Sequence, residues 1–368
     1  MPMKRIGIDA RLIRQTGVGV YLRNLLFFLE KDIPPSWMVF VYLLKEDLHS
    51  VTFQNRQFVK REASYRWHSL AEQVFYPRRL YRDKLDLMHF TYFSYPISYR
   101  GKFISTIHDL TPLLFATGKA STKNKLVYQL KHFFLKIVLH SQMRNSRTII
   151  TPTKSVKKQL VQVFGKRYQR KIHPIYEGVN KELIGIRENA VLKKSMPKEF
   201  LLYIGNFYPH KNVERLISAF TKVKTSAKLV LVGPDDFFAK SMTQLINRLD
   251  QIHRVLLFKN PKLADLIFFY KNAIALINPT LSEGFGLPMI EAAYFGCPIV
   301  GSDIEVFDEV LGSSFIRFDP YDISDIAKKI SHVLVRRPRF DGKRLVEKYS
   351  FEKMARETMA LYQKALKM

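Results

Sequence analysis

The chain has 368 residues and carries 60 Lys and Arg against 32 Asp and Glu, a formal net charge of +28 at pH 7. Hydrophobic residues make up 47% of the chain, which can build two domain-sized cores and excludes a mainly disordered protein. A single cysteine, Cys297, excludes an intrachain disulfide framework and a cysteine-based zinc site. No uncharged run reaches the roughly 20 residues of a membrane-spanning helix, and no signal peptide is recognised, so a cytoplasmic location is predicted.

Short apolar runs alternate with helical patterns along the first half of the chain. The runs predict buried strands at 5–9, 38–44, 85–90, 103–107 and 148–151. Apolar residues at three- to four-residue spacing predict helices after a glycine loop at 17–19 and over 154–164.

The same alternation restarts in the second half. Strands are predicted at 200–205, 228–233, 255–258, 273–278 and 298–300. Helices are predicted between or after them, at 213–223, 240–250, 263–271 and 288–295.

Strands that alternate with helices form parallel sheets, so the fold class is predicted to be α/β, with two doubly wound, Rossmann-like domains facing each other across a cleft. The N-terminal domain is expected over 1–180 and the C-terminal domain over 181–345, joined through a polar stretch at 180–198. A final helix over 346–368 is expected to pack back towards the N-terminal domain. Neither half contains G-x-G-x-x-G or G-x-x-x-x-G-K-[ST], which argues against an NAD enzyme and a P-loop ATPase.

The densest motif is E-G-F-G-L-P-M-I-E-A at 283–292, between a predicted strand and a predicted helix. Two glycines before a helix leave backbone N–H groups pointing at one spot, where the helix dipole also favours a phosphate. Glu283 and Glu291 flank this spot, and carboxylates suit the hydroxyl groups of a sugar better than a phosphate. A nucleoside diphosphate sugar offers hydroxyls on both sides of its pyrophosphate.

With its two glutamates eight residues apart, this motif resembles the signature of retaining glycosyltransferase family 4, which has the GT-B fold. The resemblance implies that Glu291 binds the ribose of the nucleotide and that Glu283, a catalytic residue, contacts the donor sugar. It also implies that backbone amides between them bind the distal phosphate, and that the C-terminal domain binds the nucleotide sugar while the N-terminal domain binds the acceptor. The further donor-binding residues implied by this motif are Gly284, Phe285, Gly286 and Leu287.

Residues 203–212 are similar to the family's strand, loop and R-K-N turn. The resemblance implies that Lys211 is catalytic and neutralises the leaving diphosphate, with Asn206 as a donor contact. Asn206 stands where the family often has an arginine, and His210 replaces the usual arginine before the lysine. Charge stabilisation is therefore expected to depend on Lys211 and the helix N-terminus. Lys259, predicted as another donor contact, replaces a glycine that usually lies against the base, which leaves guanine and uracil both open.

In the first half, residues 6–11 and the G-V-G-x-Y pattern at 17–21 look like the opening of the family's mannosyltransferase-like branch. In this context Gly17 and Gly19 are predicted to bind the donor, by letting backbone approach its phosphates or the acceptor.

Residues 106–110, T-I-H-D-L, resemble a strand end of the same family. The resemblance implies that His108 is catalytic and touches the donor sugar or the reacting oxygens, with Asp109 orienting its ring. His89, at the end of the preceding strand, is a weaker candidate. His89 and Asp109 are both predicted to lie on the acceptor side of the cleft.

The implied reaction is retaining, metal-independent transfer of a hexose to a hydroxyl of a glycan or lipid-linked acceptor in cell-envelope polysaccharide synthesis. Mannose from GDP-mannose is the favoured donor. A nucleotide sugar is then the co-substrate, and no cofactor or metal site is predicted. A preorganised lysine and backbone amides replace the divalent ion, since each such donor contributes roughly 3–4 kcal/mol to transition-state stabilisation.

Between Leu110 and Tyr176 the chain has no acid but fourteen lysines and arginines. Such a run predicts attraction to a polyanion, and the amphipathic, cationic stretch 123–138 suits an anionic bilayer, where lipid-linked acceptors reside. The predicted partners are thus a nucleotide sugar, an acceptor and an anionic membrane surface, and the predicted location is peripheral, at the inner face of the membrane. No nucleic-acid partner is expected.

Two other classes of protein remain open at this point. A nucleotide-sugar epimerase of the same two-domain architecture also binds a nucleotide sugar. A basic nucleic-acid-binding protein accounts for the charge, although it leaves the two glutamates unexplained.

Overall fold

The computed structural model describes residues 3–115 and 125–368 of the chain. The chain divides into two compact units. The N-terminal unit comprises Met1–Glu177 and Ser350–Met368, and the C-terminal unit comprises Gly178–Tyr349. Lys123 and Asn124, at the start of the predicted amphipathic stretch, lie outside the described residues.

The described strands of the N-terminal unit form one parallel sheet with the order β3-β2-β1-β4-β5-β6-β7. The strands are β1 (Lys4–Asp9), β2 (Trp37–Leu43), β3 (Phe58–Glu62), β4 (Leu87–Phe90), β5 (Phe103–Thr106), β6 (Thr148–Thr151) and β7 (Ile172–Pro174). The strand order reverses between β1 and β4, which is the doubly wound arrangement.

Helices connect these strands. They are α1 (Val18–Asp32), α2 (Leu70–Arg82), α3 (Thr111–Leu114), α4 (Lys125–Asn145) and α5 (Lys154–Phe164). α1 begins inside the predicted glycine loop because Gly17, at φ 43°, already provides the positive-φ residue that precedes the first turn.

The described strands of the C-terminal unit form a second parallel sheet with the order β10-β9-β8-β11-β12-β13. The strands are β8 (Phe200–Ile204), β9 (Lys228–Gly233), β10 (Val255–Lys259), β11 (Ala275–Asn278), β12 (Ile299–Ser302) and β13 (Ile316–Phe318). Here the order reverses between β8 and β11. The two sheets confirm the predicted α/β class.

The helices of the C-terminal unit alternate with its strands. They are α6 (Leu192–Ser195), α7 (Val213–Thr221), α8 (Phe237–Arg248), α9 (Leu263–Asn272), α10 (Leu287–Tyr294), α11 (Glu305–Leu311), α12 (Ile323–Arg336) and α13 (Lys343–Lys348). The polar stretch 180–198 lies within this unit, where Asn189 donates from its backbone to Ala264 and from its side chain to Asp265.

The last helix, α14 (Phe351–Lys367), belongs to the N-terminal unit. Its buried Tyr362 lies 6.3 Å from the ring of Trp37, and its hydroxyl forms a 2.7 Å hydrogen bond with Nδ1 of His89. The chain thus leaves the N-terminal unit after Glu177 and returns to it at Ser350.

A buried ion-pair network attaches α2 to the end of β1. The Arg11 guanidinium donates to both carboxylate oxygens of Asp9, at 2.8 and 2.6 Å, and to Glu72 of α2 at 2.7 Å. It also lies over the ring of Tyr76, 4.2 Å from its centroid. Buried charges require such complete pairing, so this network has a structural role.

None of the helices in the described ranges is long and apolar enough to cross a bilayer.

Candidate functional site

The carboxyl ends of β8 and β11 carry the two oppositely charged groups that the sequence predicted to be catalytic. Lys211 follows β8 and Glu283 follows β11, and these neighbouring strands flank the point where the strand order reverses. In open α/β sheets, ligands bind outside the strand ends at such a point.

Lys211 and Glu283 form an ion pair with 2.5 Å between Nζ and Oε1. Their side chains keep 16% and 14% of their surface exposed, so both are shielded but reachable by solvent. Charges in this setting interact more strongly than on an open surface. His210, beside them, adds no charge at neutral pH, because burial and then Lys211 lower its pKa to about 3.

Asn212 holds the loops that carry this ion pair, although the sequence did not single it out as a site residue. It has a left-handed backbone, with φ 60°, at the start of α7. Its side-chain amide donates to the carbonyls of Pro279 at 3.0 Å and Pro320 at 2.8 Å, which joins the loops after β8, β11 and β13. The only sequence signal for it was its place in the R-K-N-like turn.

The glycine motif forms the N-terminus of α10. Gly286 has φ 91°, and a Cβ there would lie 2.9 Å from the ring of Phe307, so the backbone favours glycine on two grounds. Pro288 lies in the first turn, where its missing N–H costs nothing. Because the first N–H groups of a helix have no acceptor within the helix, this end can bind an anion.

Phe285 and Leu287 would contribute backbone amides, not side chains, to an anion site at this helix end. The Phe285 side chain is buried and makes an edge contact with Tyr349, with 5.4 Å between ring centroids. Leu287 is the first residue of α10, and Gly284 lies just before the turn. A phosphate at the helix end would therefore meet backbone amides.

Glu291 lies one turn into α10 and is buried. Burial raises its pKa to about 7, and a 2.8 Å hydrogen bond from the hydroxyl of Tyr270 in α9 opposes that rise by stabilising the ionised form. The ring of Phe295 stacks on Tyr270 with 5.7 Å between centroids. Tyr270 was not predicted, since nothing in its local sequence indicates a partner 21 residues away.

Asn206 and Lys259, the other predicted donor contacts of the C-terminal unit, lie at the ends of different strands. Asn206 follows β8, where its carbonyl accepts from Tyr203, and among the described groups its buried Oδ1 has no hydrogen-bond partner. Lys259 ends β10, two strands from β8, and pairs with Asp235 at 2.9 Å. With about 4.8 Å between neighbouring strands, Lys259 stands apart from the Lys211–Glu283 pair.

In the N-terminal unit, the ring of His108 contacts Glu177 and Thr91, not the predicted Asp109. Its Nδ1 lies 3.3 Å from Oε1 of Glu177, and its Nε2 lies 3.1 Å from the Thr91 carbonyl. Asp109 instead accepts from the backbone of Thr111 at 2.7 Å, which starts α3. The expectation that Asp109 orients the His108 ring is therefore wrong, because Glu177 has this position.

His89 is fully buried in the N-terminal unit rather than exposed along a cleft. Its Nε2 is 2.8 Å from the Thr106 hydroxyl, and its Nδ1 is bonded to Tyr362. Burial lowers its pKa to about 3, so the ring is neutral and links β4, β5 and α14.

Gly17 and Gly19, the two predicted donor-binding glycines at the start of α1, differ in the space around them. A Cβ on Gly17 would meet nothing within 4 Å, so its surroundings are open. A Cβ on Gly19 would lie 2.6 Å from the carbonyl oxygen of Ile13. Gly19 is buried, and the close approach that its small size permits is to the chain's own backbone.

Across residues 3–115 and 125–368, no three His, Cys, Asp or Glu side chains converge as ligands for a metal ion.

Two family models match the chain: glycosyltransferase family 4 over residues 16–183 and glycosyl transferases group 1 over residues 186–344. The chain belongs to these glycosyltransferases. The boundary between the two matches falls a few residues after the structural boundary at Glu177.

A sequence relative agrees with this membership, and solved structures share the fold. The O-antigen chain mannosyltransferase RfbU of Salmonella typhimurium is 25% identical over 252 residues, 68% of this chain and 66% of RfbU, so the matched part spans just under two thirds of that relative. A sucrose-phosphate synthase from Thermosynechococcus elongatus superposes with a TM-score of 0.80 at 17% identity, over 98% of both chains. Anabaena HepE in complex with UDP and glucose gives 0.74 at 13% identity, over 98% of this chain and all of HepE. These similarities confirm the GT-B fold.

Proposed function

We propose that this glycosyltransferase moves mannose from GDP-mannose, with retention at the anomeric carbon, to a hydroxyl of a glycan or lipid-linked acceptor in cell-envelope polysaccharide synthesis. The observation that supports it most is the Lys211–Glu283 pair at the strand-order reversal, in which Glu283 lies four residues before Leu287, the first residue of α10. The name of RfbU supports the choice of mannose.

Lys211 and α10 act on the leaving group in this proposal. Negative charge grows on the diphosphate as the glycosidic bond breaks, so a fixed ammonium and fixed N–H groups stabilise the transition state more than the ground state. Because these groups supply the positive charge, we propose that no divalent cation is needed.

The two glutamates act on hydroxyl groups. Glu291, buried beside Tyr270, accepts hydrogen bonds from the ribose diol, and Glu283 contacts the donor sugar. Glu283 also fixes the Lys211 ammonium before the donor arrives. Donor binding then replaces this ion pair, because the diphosphate accepts hydrogen bonds from Lys211 and the sugar hydroxyls donate to Glu283.

The N-terminal unit is proposed to bind the acceptor. His108, held from both sides by Glu177 and Thr91, is its candidate for contact with the reacting oxygens. The acid-free run between Leu110 and Tyr176 supports a peripheral position at the inner face of an anionic membrane.

The test is a donor and product assay. Calorimetry with GDP-mannose, UDP-glucose and ADP-glucose is expected to give the tightest binding for GDP-mannose, and transfer to a glycan acceptor is expected to give an α-linked mannoside by NMR. EDTA should leave turnover unchanged. Loss of activity in EDTA with rescue by Mn²⁺ would contradict metal independence, while a β-linked product would contradict retention.

The same assay distinguishes a glycosyltransferase from a nucleotide-sugar epimerase. An epimerase converts the nucleotide sugar without any acceptor, whereas a transferase releases stoichiometric GDP that depends on the acceptor. Conversion in the absence of acceptor, with no GDP released, would replace the proposed function.

A further inference from the structure

An ion pair joins the carboxyl ends of β9 and β10. Gly233, the last residue of β9, pairs in register with Lys259, the last residue of β10. Asp235 follows two residues after Gly233, and its Oδ1 lies 2.9 Å from Nζ of Lys259. The side chains of Lys259 and Asp235 keep 39% and 42% of their surface exposed, so a ligand can reach both.

Asn260 fixes the two loops that carry this pair. Its backbone N–H donates to the carbonyl of Gly233 at 2.8 Å, and its side-chain oxygen accepts from the backbone of Asp235 at 3.0 Å. Its left-handed backbone, with φ 51°, is one that asparagine tolerates better than most residues. The neighbouring Asp236 accepts from two backbone N–H groups in the first turn of α8. Of the two adjacent acids, Asp236 therefore caps a helix and Asp235 faces Lys259.

The Asp235–Lys259 pair lies on the same edge of the sheet as the proposed diphosphate site. Lys211 follows β8, and β9 separates β8 from β10. Because neighbouring strands are about 4.8 Å apart, the ends of β8 and β10 lie roughly 10 Å from each other. In a nucleoside diphosphate, a ribose and the α-phosphate separate the base from the distal phosphate by a length of the same order. A nucleotide with its diphosphate at Lys211 can therefore place its base at this pair.

A carboxylate beside an ammonium discriminates between bases by the hydrogen bonds that each base allows. Guanine presents the acceptor O6 next to two donors, N1–H and the 2-amino group. The two oxygens of a carboxylate accept both donors at once, while an ammonium donates to O6. Adenine offers one donor group on this edge, its 6-amino group, and uracil offers one donor, N3–H, between two carbonyl oxygens. The pair thus forms three hydrogen bonds with guanine and at most two with the others.

We propose that Asp235 and Lys259 select a guanine base in the nucleotide donor. The carboxylate of Asp235 accepts from N1–H and the 2-amino group, and the ammonium of Lys259 donates to O6. The ion pair persists when the base binds, because a carboxylate has about four acceptor positions and an ammonium has three N–H donors. The inference rests on the proposed function for the position of the nucleotide, since the diphosphate at Lys211 determines where the base can lie.

Calorimetry of the full chain with GDP, IDP and UDP tests these contacts one group at a time. IDP lacks only the 2-amino group of GDP. The wild type is expected to bind GDP at least about tenfold more tightly than IDP or UDP, because each of these loses a hydrogen bond to a charged group. Asp235→Asn and Asp235→Ala are each expected to lower the GDP-to-IDP affinity ratio at least about fivefold. Lys259→Met should weaken GDP and IDP by similar factors, since both bases carry O6.

Other exposed charges of the C-terminal unit supply matched controls. Glu199 pairs with Arg337 at 2.7 Å, and 50% of its side chain is exposed. Glu199→Gln removes the same charge as Asp235→Asn, and Lys224→Met removes an exposed lysine as Lys259→Met does. Both controls should keep the wild-type affinities for all three nucleotides. The melting temperature of every variant verifies that the proteins are folded.

Equal affinity for GDP and IDP in the wild type would overturn the proposal, as would a GDP-to-IDP ratio that both Asp235 variants leave unchanged. An equal fall of that ratio in Glu199→Gln would overturn it too, and tighter binding of UDP than of GDP would assign the base site to uracil. Failure of the proposed function is separate. Selective GDP binding without transfer of mannose would refute the sugar alone, while mannose transfer with an unchanged ratio in the Asp235 variants would refute the base contacts alone.

Discussion

Lys211 and Glu283 hold each other at the ends of β8 and β11, so neither side chain has to be ordered when the donor binds. Preorganisation of this kind contributes to the rate because little rearrangement accompanies the chemical step.

Lys211→Ala is therefore expected to lower kcat by about 10²–10³-fold, since the lost group acts mainly on the charge that develops in the transition state. The affinity for GDP-mannose should fall much less. Steady-state kinetics with calorimetry measures both, with Lys224→Ala, an exposed lysine of the same unit, as the control. Near-normal turnover in Lys211→Ala would assign the stabilising charge to another group.

Glu291 gives donor binding a predictable pH dependence. Its pKa of about 7 makes it half ionised near neutrality, and the ionised carboxylate is the better acceptor for ribose hydroxyls. GDP affinity is expected to rise as pH rises through 7. The free energy of unfolding should change in the opposite sense: it falls between the ordinary pKa of 4.5 and about 7, because the folded state holds the proton that the unfolded state has lost.

Tyr270→Phe removes the hydrogen bond that favours the ionised form, so the midpoint of this pH profile should move upward. Tyr294→Phe makes the same change at a more exposed tyrosine of α10 and should leave the midpoint in place. Calorimetric GDP titrations between pH 5.5 and 9 provide the measurement. A flat profile in the wild type would exclude Glu291 as the ribose contact.

Sequence patterns singled out the residues of the candidate site, but they did not identify the hydrogen-bond partners of those residues. Lys211, Glu283 and Glu291 lie in contiguous motifs, so they could be identified from the chain itself. Tyr270 and Glu177 contact their partners only through the fold, at separations of 21 and 69 residues. Asp109 was predicted to contact His108 because it is the next residue in the chain, but Asp109 accepts from Thr111 and Glu177 lies against His108.

At the scale of elements, the short turn between β11 and α10 places the glycine motif. Gly286→Ala combines a left-handed backbone with a close contact to Phe307, and we expect a loss of about 1–3 kcal/mol in the free energy of unfolding together with weaker GDP binding. Gly296, after the other end of α10, also has a positive φ of 71°, but its nearest neighbour would lie at 3.7 Å.

Gly296→Ala therefore measures the free-energy cost of a side chain at positive φ without a close contact, and it should leave GDP affinity unchanged. Urea unfolding and calorimetry of the two variants compare these effects. Equal losses of GDP affinity in both would mean that the geometry of the Gly286 turn does not matter for the donor.

Hydrophobic runs predicted the central strands of both sheets, but they missed three strands at or near the edges. β3 has the sequence F-V-K-R-E, so it contains only two apolar residues, and β7 and β13 contain only three residues each. Central strands of parallel sheets are buried on both faces, which gives them the continuous apolar sequence that can be recognised. α2 was missed because Pro77 lies within it and its outer face is apolar.

At the scale of the whole molecule, the restart of the strand and helix pattern predicted two sheets. The position of the boundary between the two units follows only from the contacts in the structure. The stretch 180–198 looks like a linker in sequence because it is polar. In the structure it packs on α9, and Asn189 bonds to residues of that helix. Composition alone does not distinguish a linker from a polar segment bound to a domain.

The return of α14 to the N-terminal unit makes that unit dependent on Ser350–Met368, although its first segment ends at Glu177. Deletion of 350–368 removes buried Phe351, Met354 and Tyr362 and leaves His89 without one of its two partners. Each large buried side chain contributes about 2–5 kcal/mol, so the summed loss is comparable to the whole stability of a typical domain. We expect the N-terminal unit to unfold, while the C-terminal unit, whose chain is continuous from Gly178 to Tyr349, stays folded and binds GDP.

Limited proteolysis with mass spectrometry, and GDP calorimetry of the same sample, measure these two outcomes. The truncated protein should yield a protected fragment near 178–349 that retains most of the GDP affinity. Removal of only Lys367 and Met368, both exposed, should leave the whole chain protected. If the truncated protein kept a protected N-terminal unit, α14 would be dispensable for that unit. If the protected fragment did not bind GDP, the nucleotide contacts assigned to the C-terminal unit would be insufficient by themselves.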